Sequence, residues 1–98
     1  MQLKELQYIV TLAEEGSVSR AADKLYMAQS SLSEFLRQYE AELGVTLFVR
    51  TSRGIRPTAA GSLFVDNART ILMHYRLVRA QLDDMADLNG GSVICGIS

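Results

Sequence analysis

Residues Ser17 to Leu43 read SVSRAADKLYMAQSSLSEFLRQYEAEL. This stretch decides the fold. Ser17 is a suitable N-cap for a short helix running to Leu25, and Ala21, Ala22 and Leu25 form its buried side. Two adjacent alanines suit a place where two helices approach closely. Tyr26, Met27 and Ala28 make a turn. A second helix follows, from Gln29 or Ser30 to Leu43, with Gly44 closing it. Leu32, Leu36, Tyr39 and Leu43 fall at i, i+4, i+7 and i+11, one continuous stripe expected in the core. The opposite face carries Ser30, Ser33, Glu34, Arg37 and Gln38. Two helices, a tight turn and a small polar front end on the second helix are how a helix-turn-helix presents a recognition helix to DNA.

Upstream, Leu3, Leu6, Ile9, Val10 and Ala13 recur at helical spacing from about Gln2 to Glu15. Gly16 is the expected C-cap. Downstream, Val45 to Arg50 is β-prone, Ser52-Arg53-Gly54 has turn chemistry, and Ile55 to Pro57 returns as a second strand. This hairpin carries Arg50, Arg53 and Arg56 with no acid between Leu47 and Pro57, so it reads as a wing. Thr58 caps a long helix. In it Phe64, Ala68, Ile71, Tyr75, Val78, Leu82 and Met85 alternate by four and three, the spacing of a helix-pairing seam. From Thr58 to Leu88 the helix spans about 45 Å. That is too long for a small domain to cover, so the seam is expected to bury against a second copy. Asn89-Gly90-Gly91 stops it, and SVICGIS reads as a strand with no sheet to join.

Composition narrows the function. The 98 residues are 48% hydrophobic, enough for a small core that leans on a partner. No apolar run approaches the roughly 18 residues of a membrane span, and the N-terminus lacks a signal-peptide pattern. A net charge of −1 argues against non-specific coating of nucleic acid, yet not against a site-specific binder with clustered cations. The single Cys95 cannot form an internal disulfide, and the reducing cytoplasm is the expected compartment. His74 has no second His or Cys nearby with which to hold a metal, and reads as a surface or interface residue. No nucleophile elbow, phosphate-binding glycine loop or paired His and carboxylate cluster is present, so no enzymatic activity is expected.

The ordered run resembles the N-terminal DNA-binding region of the LysR-type transcriptional regulators. The resemblance rests on Leu6-Gln7-Tyr8-Ile9, Ala13-Glu14-Glu15-Gly16-Ser17, Ala21-Ala22-Asp23-Lys24-Leu25 and Ala28-Gln29-Ser30-Ser31-Leu32-Ser33. It continues through Glu40-Ala41-Glu42-Leu43-Gly44, Leu47-Phe48-Val49-Arg50 and Thr58-Ala59-Ala60-Gly61. Gly91-Ser92-Val93-Ile94-Cys95-Gly96 is similar to the first strand of that family's effector domain. Two positions depart from the pattern: Ser30 stands where the family often has Pro, and Glu34 where it commonly has Arg or Gln. The resemblance implies a mainly α fold, with three helices and a two-stranded β wing followed by a long linker helix. It implies a DNA-binding domain over 1–57, a dimerisation helix over 58–88, and the start of an effector domain over 89–98. It also implies promoter double-stranded DNA at an interrupted inverted repeat, a homodimer with antiparallel linker helices, and tetramers in the full-length protein. A small-molecule inducer would bind in the absent domain; no cofactor is expected in this segment, and no membrane.

The expected DNA contacts are these. Gln29 can pair with adenine N6 and N7. Ser30, Ser31 and Ser33 are short enough to let the helix sit deep and can bond phosphate or base. Arg37, one turn on, can reach guanine or phosphate. Arg50 and Arg53 suit the backbone and the narrow minor groove, and Thr51 adds a hydroxyl. Structural alternatives stand beside them. The serines at the helix start could simply cap it, and Arg50 could pair with Glu40 or Glu42. Glu34 reads first as a solvated charge, then as a partner for Arg37 or Gln38, or as an acceptor for cytosine N4. Arg20 and Lys24 read as solvated, although Arg20, near its helix start, could touch phosphate. Two rival functions remain from the sequence: a dimerisation module that has lost DNA binding, and an unrelated winged repressor.

Overall fold

The structure, a computed structural model, describes residues 2–88. The terminal strand and the domain boundary expected at 89–98, with Cys95, lie outside the described residues. Helix α1 spans Leu3–Glu15, α2 Val18–Lys24 and α3 Gln29–Leu43; strands β1 (Phe48–Thr51) and β2 (Gly54–Pro57) follow, then α4 (Ala59–Leu88). The hairpin is antiparallel, pairing Phe48 with Pro57 and Thr51 with Gly54.

Local chemistry sets most boundaries. Gly16 ends α1 in the left-handed region at φ 65°, and Gly44 ends α3 in the same way at φ 77°. Ser17 caps α2, its Oγ accepting the backbone N–H of Arg20 at 3.2 Å. Thr58 does the same for α4, accepting from Gly61 N–H at 3.0 Å. Its own hydroxyl donates to the carbonyl of Thr46 at 2.6 Å, so the cap also anchors the segment leading into β1.

The core gathers residues from every helix and from the segment entering the wing. Ile9, Leu12, Leu32 and Leu47 are its largest fully enclosed side chains. Helix α1 packs on both α2 and α4, and α2 packs on α3. The Ala21-Ala22 pair is buried, as close packing of α2 requires; Val18 joins it, a contribution the periodicity reading left out. An aromatic file runs beside the core: Tyr8 meets Phe35 edge-on, Phe35 stacks on Tyr39, and Tyr39 meets Phe64 edge-on at 5.8 Å.

Two glycines are required by close approach. A Cβ on Gly61 would stand 1.9 Å from the Leu47 carbonyl oxygen, so the first turn of α4 can press on the entry to β1 only without a side chain. A Cβ on Gly54 would stand 2.1 Å from the Gly16 carbonyl oxygen. That carbonyl accepts the Ile55 N–H at 3.0 Å and ties the base of the wing to the end of α1.

Two packing expectations need correction. Leu43 was expected in the core, yet it is 39% exposed, and Leu36 is only partly buried. Leu43 is the last residue of α3, and it lines an open apolar groove with Val45, Leu63 and Phe64. The seam of α4 is also split. Ala68 is buried in the domain and Phe64 packs partly against it, whereas Ile71, Tyr75, Val78, Leu82 and Met85 are exposed. The stripe that docks α4 on its own domain is Gly61, Val65, Ala68 and Leu72. Beyond Leu72 the helix leaves the domain. The molecule is accordingly 54 Å long and 26 Å across, with a radius of gyration of 17.0 Å; a compact domain of this length would have about 13 Å.

Candidate nucleic-acid interface

The front of α3 is chemically bare. Its N-cap, Ala28, offers no side-chain hydrogen bond, and the first turn holds no acid. The alternative that the serines cap this helix is not what the structure shows: Gln29, Ser30 and Ser31 are exposed, and neither serine bonds a backbone N–H of the helix. Backbone donors at the front of α3 therefore point outward beside three hydrogen-bonding side chains, an arrangement suited to an anion. Ser33 lies one turn further on, half-buried.

The wing stands across from this face. A cleft of about 460 Å³ is lined by Ser30, Ser33, Glu34, Arg37, Arg50 and Ile55, among others. The fold thus brings the polar face of α3 and the first wing arginine onto one concave surface. Thr51 and Arg53 sit at the tip of the hairpin, outside that cleft, and both are exposed. The Thr51 hydroxyl is engaged in the turn, accepting from Arg53 N–H at 3.2 Å. Arg50 is not held by Glu40 or Glu42. Among the described residues none of Arg50, Arg53 and Arg56 is in a salt bridge. Glu40 has a different task. Its Oε2 accepts the backbone N–H groups of Leu47 at 2.6 Å and Phe48 at 3.1 Å, fixing where the chain turns from α3 into the wing. A charged acceptor on two amides is a strong local anchor, and nothing in linear spacing announces it.

Glu34 is the exposed charge expected first, and it is also the partner expected for Arg37 and Gln38. Its carboxylate takes the Arg37 guanidinium through Nε at 3.2 Å and through Nη2, and it also accepts from Gln38 Nε2 at 2.9 Å. The hydrogen bond from Arg37 draws the Glu34 carboxyl below its ordinary value, and Gln38 contributes in the same direction. Arg37 is raised in turn, chiefly by its hydrogen bond to Glu34. Arg20 and Lys24 are also committed: Arg20 Nη2 donates to the Glu15 carbonyl, and Lys24 pairs with the Glu15 carboxylate, each at 3.3 Å.

Tyr26 reads from the sequence as a turn residue only. In the structure it is 96% exposed, with φ 57°, two residues before the N-cap of α3. A bulky residue in the left-handed region is strained by about 1–2 kcal/mol. The Met27 N–H bonded to the Ala22 carbonyl at 3.0 Å helps hold the turn in this form. The detectable signal was a large aromatic where a turn usually has Asn or Gly.

The model of the bacterial regulatory helix-turn-helix proteins of the lysR family matches residues 3–62, from the first helix into α4. The chain belongs to the LysR family. Within the family, it is 38% identical over 97 residues to the DNA-binding transcriptional dual regulator OxyR of Escherichia coli K12. That match covers 99% of this chain and 32% of the relative, so this LysR-type chain spans about a third of the length of that regulator. Among solved structures it is similar to the BenM DNA-binding domain in complex with catB site 1 DNA, with a TM-score of 0.82 and 36% identity over 88% of this chain and 97% of that one. The CbnR DNA-binding domain in its DNA complex gives a TM-score of 0.79 and 35% identity, over 88% and 99% of the two chains. Winged helix-turn-helix architecture, with three helices, a two-stranded wing and a long following helix, is therefore shared with LysR DNA-binding domains. Among the described residues of this LysR-type chain, no helix is long and apolar enough to cross a membrane, and no cluster of His, Cys, Asp and Glu could hold a metal ion.

Proposed function

We propose that this LysR-type chain reads a specific promoter sequence in double-stranded DNA as a homodimer. The observation that carries this reading is the uncapped, hydrogen-bonding front of α3 facing the same cleft as a wing arginine without a salt-bridge partner. In this reading α3 enters the major groove. Gln29 and Arg37 address base edges, and Ser30, Ser31 and Ser33 bond phosphate or base. Arg50 and Arg53 with Thr51 lie along the backbone beside the minor groove. Tyr26, exposed beside the start of α3, packs on the sugar–phosphate edge. Two complexed LysR DNA-binding domains among its structural relatives support the assignment.

The dimer follows from surface that a monomer leaves uncovered. An apolar groove of about 350 Å³ is lined by Leu43, Val45, Leu47, Leu63, Phe64 and Ile71, among others. It runs into the exposed Tyr75, Val78, Leu82 and Met85 of α4. In an antiparallel pair of α4 helices, this continuous face meets its own copy. Leu43 then becomes a core residue of the dimer. In the whole protein, tetramer contacts and a small-molecule inducer site belong to sequence outside the described residues, and promoter reading places the protein in the cytoplasm.

Fluorescence anisotropy with the region upstream of its own gene and a scrambled duplex, each at two salt concentrations, tests the reading. Selective, salt-dependent binding is expected. Arg53→Ala should weaken all duplexes alike and reduce the salt slope by about one. Equal or absent binding to both duplexes would instead favour a dimerisation module.

A further inference from the structure

The Glu34–Arg37 pair lies in the middle of the exposed face of α3, where it makes no contribution to the core. Both side chains are open to solvent, at 51% and 70% exposure. Exposed ion pairs of this kind add little to folding stability. Yet three donor atoms converge on one carboxylate, from Arg37 Nε, Arg37 Nη2 and Gln38 Nε2. Such convergence orders two long side chains that would otherwise sample many rotamers.

The edge of the guanidinium that Glu34 occupies matters. Nε and Nη2 form one fork of the planar group, and the carboxylate fills it. The other fork, made by Nη1 and the second hydrogen of Nη2, is left free. That outer fork matches the O6 and N7 acceptors of guanine in the major groove. The carboxylate also offsets the arginine's charge, so the pair carries little net attraction for phosphate. A lone arginine there would be a mobile cation equally content with the backbone.

We infer that Glu34 is a positioning residue that presents the outer fork of Arg37 to a guanine, so that the pair reads one G·C base pair in each half-site. The inference rests on α3 being the recognition helix. Arg37 makes the base contact, and Glu34 acts through it. Arg50, on the wing across the cleft, remains the nearby cation free to take the phosphate. Glu34 thus converts Arg37 from a backbone contact into a base contact.

The test uses the full-length protein and selection from a pool of random duplexes. Duplexes differing at the selected guanine are then measured by anisotropy at two salt concentrations. Wild type should prefer guanine at one position per half-site by roughly 5- to 150-fold, the range of one good bidentate contact. Glu34→Gln should lose most of that preference. It should also bind all duplexes more tightly, with a salt slope steeper by about one, because a cation has been released for phosphate. Arg37→Ala should lose the same preference and bind all duplexes more weakly. Neither change should move the thermal midpoint, which separates positioning from a folding role. If wild type selects a sequence and Glu34→Gln keeps the same guanine preference and salt slope, the positioning role is overturned while DNA reading stands. If the preference survives Arg37→Ala but not Glu34→Gln, Glu34 reads cytosine N4 itself, and the inference is again wrong. If wild type enriches no sequence, the reading of α3 as a recognition helix fails, and the inference fails with it.

Discussion

Replacing Gly61 by alanine sets two effects of opposite sign against each other. Gly61 lies in the first turn of α4, and in an ordinary helix Gly→Ala stabilises by about 1 kcal/mol. Here the added Cβ would stand 1.9 Å from the Leu47 carbonyl oxygen, 2.9 Å from its carbon and 3.2 Å from the Pro57 Cβ. Relief requires α4 to retreat from the strand by more than about 1 Å, given ordinary C···O contacts near 3.3 Å. The same carbonyl accepts the Thr58 N–H at 2.9 Å. Retreat weakens that bond, at about 1 kcal/mol. It also opens space beside Leu47, which is fully buried, at a further cost of about 1–2 kcal/mol. After subtracting the helix gain, the net destabilisation is about 1–2 kcal/mol. The thermal midpoint should fall by roughly 4–16 °C in a domain of this size. Circular dichroism melts of Gly61→Ala and of Ser62→Ala, an exposed neighbour in the same turn, provide the comparison. A midpoint for Gly61→Ala that is unchanged or raised would refute the close approach of α4 and the wing entry.

Three further outcomes are expected. The Tyr39 hydroxyl is buried without a hydrogen-bond partner, and burial, with Glu5 and Glu42 nearby, pushes its phenol above the ordinary value. Tyr39→Phe keeps the ring stack and removes the orphan, so it should stabilise by about 1 kcal/mol in a melt; a loss of stability would mean that the hydroxyl has a partner in the assembled protein. Glu40→Ala strips the acceptor from two part-buried amides and should cost about 2–4 kcal/mol by urea unfolding, with Glu42→Ala, lacking such bonds, near zero. Tyr75→Asp places a charge on the proposed pairing face and should give a monomer by light scattering without lowering helix content; a mutant that remains dimeric would move the interface elsewhere.

Much was legible in the sequence because it is set locally. Gly16, Ser17, Gly44 and Thr58 act on neighbouring amides and carbonyls, so helix ends could be read from residue type alone. The polar front of α3 was legible for the same reason: small hydrogen-bonding residues gathered at a helix start say what that end can bond. The wing followed from turn chemistry at Ser52-Arg53-Gly54, and its arginines from the lack of any acid among them.

Tertiary structure decided which stripe faces what. Helix α4 carries two apolar stripes sharing Ala68, and spacing alone picks out only the outer one; the docked position of α1 shows that Val65 and Leu72 face inward while Ile71 and Tyr75 face out. Leu43 fits the α3 stripe by period, but it faces an open groove, so burial stops before the pattern does. Glu40 and Glu34 look alike in sequence, two acids on one helix. One lies against the wing entry and anchors two amides, and the other lies on the open face and grips an arginine. Gly61 and Gly54 are needed for backbones far apart in the chain to touch. Periodicity and capping report interactions within a few residues, whereas these outcomes depend on which distant surface arrives, and that is settled only when the helices pack.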